Sequence, residues 1–202
     1  MFELIFDLET KKWFDQTGTT DPGDLGVSIV SLYFRETDAE FKEISGKVMS
    51  FWEEDFDKMW KFFLEADRII GFNSIHFDVP ALRPYAPAYF SKLPHFDILD
   101  KIKDESGHRV SLNRVAKDSI GEEKIDQGKN APQYFENGDE QSLKQLAKYC
   151  ESDVILTKKV YDFGFRNKIL KYTDYWNNPR TISVDFSYPL GFSPAAKQAS
   201  LF

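Results

Sequence analysis

The sequence predicts an α/β protein: a mixed β-sheet, antiparallel in its first three strands and parallel beyond them, flanked by α-helices. Three observations carry this. The chain opens on an apolar run, Met1-Phe2-Glu3-Leu4-Ile5-Phe6, with the character of a buried strand. Two more β-rich segments follow in the first third. After them, short apolar strands alternate with amphipathic helices. Strands first and alternation afterwards give one mixed sheet with helices packed on it.

The elements follow in order. Asp7-Leu8-Glu9 ends the first strand, and Lys11 to Gly26, with Pro22 and three glycines, is expected as a loop. Val27 to Phe34 and Phe41 to Phe51 are two strands joined by a turn over 35–40, which makes an antiparallel meander. Asp55 to Ala66 shows Phe56, Met59, Trp60, Phe63 and Leu64 at helical spacing, with Asp55 as the expected N-cap. Arg68 to Phe72 is a short buried strand, and Val79 to Tyr85 begins a helix near Pro80. Phe96 to Ile102 runs from strand into helix, and Ser111 caps another helix. Gly121 to Gly138 is expected as a long polar loop. Asp139 to Phe163 is the clearest helix, with Gly164 expected as its C-cap. From Arg166 onward a helical turn and an extended tail are expected.

Composition narrows the class. The 202 residues suffice for one domain with a real core and some extension. Aromatics make up 16%, with 19 Phe, so rings remain for stacking or partner contacts after a core is filled. The single cysteine, Cys150, excludes an internal disulfide and fits a reducing compartment. No basic leader and no membrane-length apolar run are visible, so a soluble cytoplasmic protein is the expectation. A net charge of −7 argues against a grip on polyanions by bulk charge. It leaves room for local contacts. Arg109, Arg114 and Lys117, and later Lys144, Lys148 and Lys158, are basic groups whose ordinary role is a solvated helix face.

Strand alternation puts Asp7 and Glu9 on one face, two residues apart. Two carboxylates at the end of a core strand are costly without a positive partner, and a divalent ion is the simplest one. A strand running out into a solvated acidic turn is the other reading. Asp38-Ala39-Glu40 has the same spacing in a plainly polar turn. Asp78 follows the fourth strand, and Asp153 lies inside the long helix. Tyr149 is one turn before Asp153, on the same face. Taken alone, that pair reads as an ordinary exposed helix pair. His76, His95 and His108 have no metal-ligand spacing.

In order, the chain therefore has Asp-x-Glu (Asp7, Glu9), Asn-x-x-x-Phe-Asp (Asn73 to Asp78) and Tyr-x-x-x-Asp (Tyr149 to Asp153). This set resembles the three motifs of the DEDD family of 3′–5′ exonucleases, in its Tyr-containing branch. The His-containing branch has histidine five residues before the last Asp, where this chain has Lys148. The flanking words FDLET, GFNSIHFDVPAL and YCESDVILTKKVY are similar to exonuclease domains akin to the proofreading domain of family B DNA polymerases. The resemblance covers residues 1–165, leaving 166–202 as a C-terminal extension.

The resemblance implies a ribonuclease H-like fold and a two-metal site for Mg²⁺ or Mn²⁺. Asp7, Glu9 and Asp153 would hold one ion. Asp7 would bridge to a second, which Asp78 contacts partly through water. Such ions, about 3.5–4 Å apart, activate a water and stabilise the leaving 3′-oxygen. Tyr149 would orient the water. Thr10, Asn73 and Phe77 become candidates to position the terminal nucleotide, or are turn and core residues. Asp97 is a supporting group or a helix cap.

The final residues, Gln198-Ala199-Ser200-Leu201-Phe202, resemble the short peptide by which bacterial replication and repair proteins dock into the sliding clamp. Leu201 and Phe202 would fill an apolar pocket, and Gln198 would make directed hydrogen bonds. A frayed apolar tail is the other reading. The implied activity is hydrolysis of DNA from single-stranded 3′ ends. The same chemistry on RNA, a non-catalytic nucleic-acid-binding module with this fold, and a ribonuclease H-type endonuclease are the alternatives.

Overall fold

A computed structural model describes residues 1–125 and 130–189. Strand β1 (Phe2–Thr10) lies at the centre of a five-stranded sheet. It pairs antiparallel with β2 (Val27–Thr37), which pairs antiparallel with β3 (Glu43–Trp52). On its other side β1 runs parallel to β4 (Arg68–Gly71), and β4 runs parallel to β5 (His95–Asp97). The sheet order is β3-β2-β1-β4-β5. The mixed sheet read from the sequence is thus present, with its switch to parallel pairing at β1–β4.

Alternation along β1 sorts its side chains. Leu4, Phe6 and Leu8 enter one core with Met59, Phe63 and Leu82, under helices α1 (Trp60–Glu65) and α2 (Asp78–Leu82). Ile5 enters the other core, which is covered by α3 (Ile98–Ser106), α4 (Leu112–Ile120) and α6 (Glu140–Asn167). Glu3, Asp7 and Glu9 share that second face with Ile5. The long helix α6 therefore sets the surroundings of the acidic residues. It starts at Asp139, whose carboxylate accepts from the amides of Gln141 and Ser142.

Several expected boundaries move. β1 continues through Asp7, Leu8 and Glu9 to Thr10, because β2 pairs with it over this whole length. The loop over 11–26 contains two short 3₁₀ turns, Phe14–Gln16 and Pro22–Asp24. Asp55 is no N-cap: β3 hands over at Trp52 into a 3₁₀ turn, Glu53–Lys58, and Asp55 pairs with Lys58 inside it. The expected polar loop over 121–138 contains α5 (Ala131–Asn137), with Pro132 in its first turn and Gly138 beyond its end. α6 does not stop at Gly164. It ends at Asn167 with Lys168 in the left-handed region. Gly164 is small for a different reason: a Cβ there would lie 2.4 Å from the Phe186 ring.

Within the described residues, the segment after Arg166 is not a helical turn followed by extended chain. It forms a hairpin of β6 (Ile169–Thr173) and β7 (Pro179–Ser183), and β6 packs on α4. Asp174 holds the hairpin turn by accepting from the amides of Trp176 and Asn178. Gln198, Leu201 and Phe202 lie outside the described residues. No helix among the described residues is long and apolar enough to cross a membrane.

Candidate active site

Three separate elements deliver carboxylates to one cleft. β1 carries Asp7 and Glu9, the start of α2 carries Asp78, and α6 carries Asp153 with Tyr149 one turn earlier. All five residues predicted as catalytic line a cleft of about 600 Å³, together with Thr10, Asn73 and Phe77. A larger cleft of about 990 Å³ lies beside Arg68, Asp100 and Tyr188, and none of the five lines it. Volume therefore does not identify the chemistry here; the convergence of titratable groups does.

Local structure explains each placement. Asp7 and Glu9 sit opposite Ser31 and Ile29 of β2, and a bulge follows between Glu9 and Thr10. Strict alternation would send Thr10 to the opposite face from Glu9. At the strand's end Thr10 nonetheless lines the same cleft, as does Leu8. Its hydroxyl donates to the Lys12 carbonyl. Asn73 adopts the left-handed conformation, φ 67°, which Asn tolerates better than most residues. The Asp97 carboxylate holds this turn by accepting from the amides of Asn73 (2.8 Å) and Ile75 (3.0 Å), and it also caps α3 at Leu99. Asp97 thus serves both expected roles, as cap and as support. Phe77 precedes α2 and meets the Phe14 ring edge-on. Asp78 accepts from the Leu8 amide, which ties α2 to β1.

The electrostatics are those of a site short of positive charge. Burial is the largest influence on Asp7 and raises its pKa well above the ordinary carboxylate range; Asp153, Asp78 and Glu9 push it further. Burial and then Asp153 do the same to Glu9. Asp78 is raised to about 7, first by burial and with Asp97 adding to it. Burial also raises Asp153, against the opposing pull of Lys124. Tyr149 is raised by burial and by Asp153 and Glu9, so its hydroxyl keeps its proton.

Glu3 is the internal comparison. It lies on the same face of β1 and is 1% exposed. Arg35 pairs with it at 2.7 Å, and the hydroxyls of Tyr161 (2.9 Å) and Tyr188 (2.6 Å) donate to it. Its charge is compensated by protein groups. At the other end of the strand, Asp7 and Glu9 are surrounded chiefly by further carboxylates. The buried Oδ1 of Asp153 has no hydrogen-bond partner among the described residues. Hard oxygen donors in excess of local cations, one of them unsatisfied, fit a divalent ion such as Mg²⁺ or Mn²⁺.

Two residues, one lining the cleft and one buried behind it, were not singled out as site residues from the sequence. Lys124, in the segment between α4 and α5, reaches back to pair with Asp153, and its ammonium lies 3.3 Å from the Tyr149 hydroxyl. A lysine in a polar segment carries no pattern that would mark it. Cys150 follows Tyr149, and its sulfur is within 4.8 Å of ligand oxygens of Asp7 and Glu9. Burial pushes its thiol well above the ordinary range, so it is a neutral neighbour with little affinity for hard ions. None of the three histidines lines the cleft: His76 pairs with Asp100, His95 bonds the Phe90 carbonyl, and His108 is exposed.

Comparisons with known proteins identify the superfamily and the fold. A family model, RNase_H_2 of the RNase_H superfamily, matches residues 4–163. The DNA polymerase delta catalytic subunit of Candida albicans is 26% identical over 179 residues, 68% of this chain and 17% of that protein. The DNA polymerase delta catalytic subunit of Dictyostelium discoideum is 25% identical over 191 residues, 73% of this chain and 17% of that protein. The chain thus spans about a sixth of the length of these curated relatives. The family B DNA polymerase of the archaeon Pyrobaculum calidifontis shares the fold, with a TM-score of 0.56 at 19% identity, over 81% of this chain and 24% of that one.

Proposed function

This chain belongs to the RNase H superfamily, and from that premise we propose that it is a metal-dependent 3′–5′ exonuclease of the Tyr-containing DEDD branch. Its substrate on this reading is DNA at single-stranded 3′ ends, and its products are nucleoside monophosphates. One observation carries the reading: four carboxylates from β1, α2 and α6 meet Tyr149 in a single cleft whose negative charge the described residues balance only in part. The similarity to DNA polymerase delta catalytic subunits favours DNA over RNA.

Asp7, Glu9 and Asp153 would hold one divalent ion, and Asp7 with Asp78 a second. Bound there, the ions supply Lewis-acid activation of water and stabilise the leaving 3′-oxygen. Tyr149, hydrogen-bonded to Asp153 and protonated, orients the attacking water and is not its base. Thr10, Asn73 and Phe77 position the terminal nucleotide at the mouth of the same cleft. Arg109 donates to the Asn73 side-chain oxygen at 2.7 Å and brings a cation to that rim. The terminal Gln198 to Phe202 peptide would dock into a sliding clamp and place the enzyme in replication or repair.

A 5′-labelled single-stranded DNA and its RNA counterpart test the reading, each with Mg²⁺, with Mn²⁺ and with chelator, beside Asp7→Ala. The expected result is a metal-dependent ladder shortening from the 3′ end of DNA, absent in the variant. A ladder on RNA alone would reassign the sugar. Discrete internal products would point to an endonuclease. No cleavage by a folded protein would point to a binding module. Deleting residues 198–202 should spare hydrolysis of short oligonucleotides and abolish clamp binding.

A further inference from the structure

We propose that Tyr175 and Trp176, at the tip of the β6–β7 hairpin, form a contact site for single-stranded nucleic acid away from the carboxylate cleft, where their rings take unpaired bases from the body of a bound strand. This rests on the reading of the substrate as nucleic acid and deepens it: a strand seated by its 3′ end in the cleft is held a second time on the hairpin.

The hairpin belongs to none of the acidic motifs. Tyr175 is 83% exposed and Trp176 72%, and their rings stand at 90° with centroids 6.1 Å apart. Rings this large forgo the free energy that burial would give them. The turn that carries them is nevertheless built. The Asp174 carboxylate accepts from the amides of Trp176 and Asn178, both at 2.9 Å, and from Arg180 Nε at 2.8 Å. The Asp174 amide donates to the Asn178 carbonyl at 2.9 Å, and Asn177 takes the left-handed conformation, φ 59°. Below the turn, Leu170 and Tyr172 anchor β6 in the core. The Lys171 amide donates to the Ser119 hydroxyl of α4 at 2.9 Å, and that hydroxyl donates to the Lys171 carbonyl at 3.0 Å. The rings therefore stand on a fixed support before anything binds, which lowers the entropic cost of stacking on them.

Charge and area select the occupant. Residues 168–183 carry three basic side chains, Lys168, Lys171 and Arg180, and one acidic side chain, Asp174, a local net of +2 in a chain of net −7. Asp174 is buried and paired with Arg180, and the three cations are exposed. The hairpin thus complements a polyanion although the chain as a whole does not. Two rings offer roughly 300–500 Å² of contact, short of the roughly 800 Å² that each partner gives to a stable protein interface. A base needs only one ring face, and any base supplies its own. The cleft and the hairpin are also joined by α4. Its N-terminal end, Ser111 to Asn113, lines a cavity with Asp7, and Ser119, which bonds Lys171, lies about 12 Å farther along the helix. At roughly 3.4 Å per stacked nucleotide, a tetramer spans about 14 Å and a twenty-mer about 70 Å. A twenty-mer therefore reaches from the carboxylates past the hairpin, whereas a tetramer ends near its foot.

The test compares strands that differ in reach. Fluorescein-labelled oligothymidylates of four and of twenty residues, with oligouridylates of the same lengths beside them, are bound in Ca²⁺ to suppress turnover and followed by anisotropy. Tyr175→Ala and Trp176→Ala should each raise the Kd of the twenty-mer by about tenfold and leave that of the tetramer within about twofold of wild type. In Mg²⁺, KM for the twenty-mer should rise by the same factor at unchanged kcat, with hydrolysis of the tetramer unaffected. Trp176→Phe should keep the twenty-mer affinity, and Trp176→Leu should not. Lys171→Gln should lower the salt slope of log Kd for the twenty-mer by about 0.7, the loss of one phosphate contact on a single strand. All four variants should unfold at the wild-type urea midpoint, because the groups they change are exposed. An unchanged twenty-mer Kd in both alanine variants would overturn the site. Equal losses at both lengths would also overturn it, by placing the rings at the cleft. No binding of either sugar by the wild-type protein would refute the site and the nucleic-acid reading together. Binding of the twenty-mer through the tip with no cleavage of any strand would refute the nuclease reading and leave the site standing. Cleavage of both lengths with the wild-type KM in every variant would refute the site and leave the nuclease reading standing.

Discussion

Lys124 places its ammonium against the Asp153 carboxylate, inside the cluster that Asp7 and Glu9 complete. The side chain loses hydration there, but Asp153, Asp7 and Glu9 outweigh that loss and raise its pKa, so it stays charged. A single cation thus partly offsets several carboxylates when no metal ion is bound. Removing one partner of a buried pair exposes the other to the full cost of burial. Lys124→Met should therefore lower the melting temperature in chelator by about 5–10 °C, corresponding to roughly 3 kcal/mol. Saturating Mg²⁺ or Mn²⁺ should shrink the difference. Equal melting temperatures in chelator would mean that the pair balances nothing.

The same cluster fixes the sign of the pH dependence. Asp7, Glu9, Asp153 and Asp78 all have raised pKa values in the folded protein, Asp78 to about 7. Between the unfolded carboxylate range and those raised values the folded state binds more protons. Stability contributed by these groups is therefore present at low pH and lost as pH rises. Scanning calorimetry in chelator should show the melting temperature falling from pH 5 to pH 8. Saturating Mn²⁺ should flatten or reverse that fall, because the ions take the deprotonated carboxylates. A rise with pH in chelator would contradict the assignment.

What the sequence made visible and what it hid have physical causes. Asp7 and Glu9 stood out because paired carboxylates at the end of an apolar strand cost free energy without compensation, whereas Asp78 and Asp153 stood out through the resemblance of the whole motif set. The antiparallel meander of the first three strands followed from their apolar patterns. Lys124 stayed hidden because its partner is 29 residues away and no local pattern records that contact. Gly164 looked like a helix stop. Its real constraint is the Phe186 ring, supplied by a segment 22 residues later. The β6–β7 hairpin was missed because its turn is organised by the Asp174 side chain, not by a Gly-containing dipeptide.

Activity and metal-free stability should move in opposite directions at Asp7. Asp7→Asn keeps the side-chain shape and removes one charge from a cluster whose members raise one another's pKa. The variant should melt higher than wild type in chelator and gain little from added Mg²⁺. Its hydrolysis of single-stranded DNA should fall by at least about two orders of magnitude. Calorimetry and a single-turnover assay check both signs. Destabilisation together with retained cleavage would make Asp7 a structural residue.

Tyr149 separates orientation from base catalysis. Its hydroxyl is kept protonated by burial and by Asp153, and it lies within 3.3 Å of Lys124. Tyr149→Phe should lower kcat by about 10–100-fold with KM nearly unchanged, the mark of an interaction used in the transition state. The pH–rate profile should keep its shape, because no titration of Tyr149 takes part in it. A lost limb in that profile would make the phenol a base after all.

The last prediction concerns the strap over 184–189, at the opposite end of β1. Phe186 stacks on Tyr161 at 5.6 Å and meets Phe96 edge-on at 5.0 Å. Arg68 donates to the carbonyls of Phe186 and Ser187, and the Tyr188 hydroxyl reaches Glu3. Glu3 precedes Asp7 by four residues, about 13 Å along an extended strand. Phe186→Ala should therefore cost about 3–5 kcal/mol of stability, since it empties a site that Gly164 is shaped to receive. Urea unfolding should show the midpoint falling with little change in slope. The kcat of the folded fraction, measured well below the transition, should stay within about twofold of wild type, because additivity holds for sites that share no partners. A loss of kcat without a loss of stability would show that the strap reaches the cleft through β1.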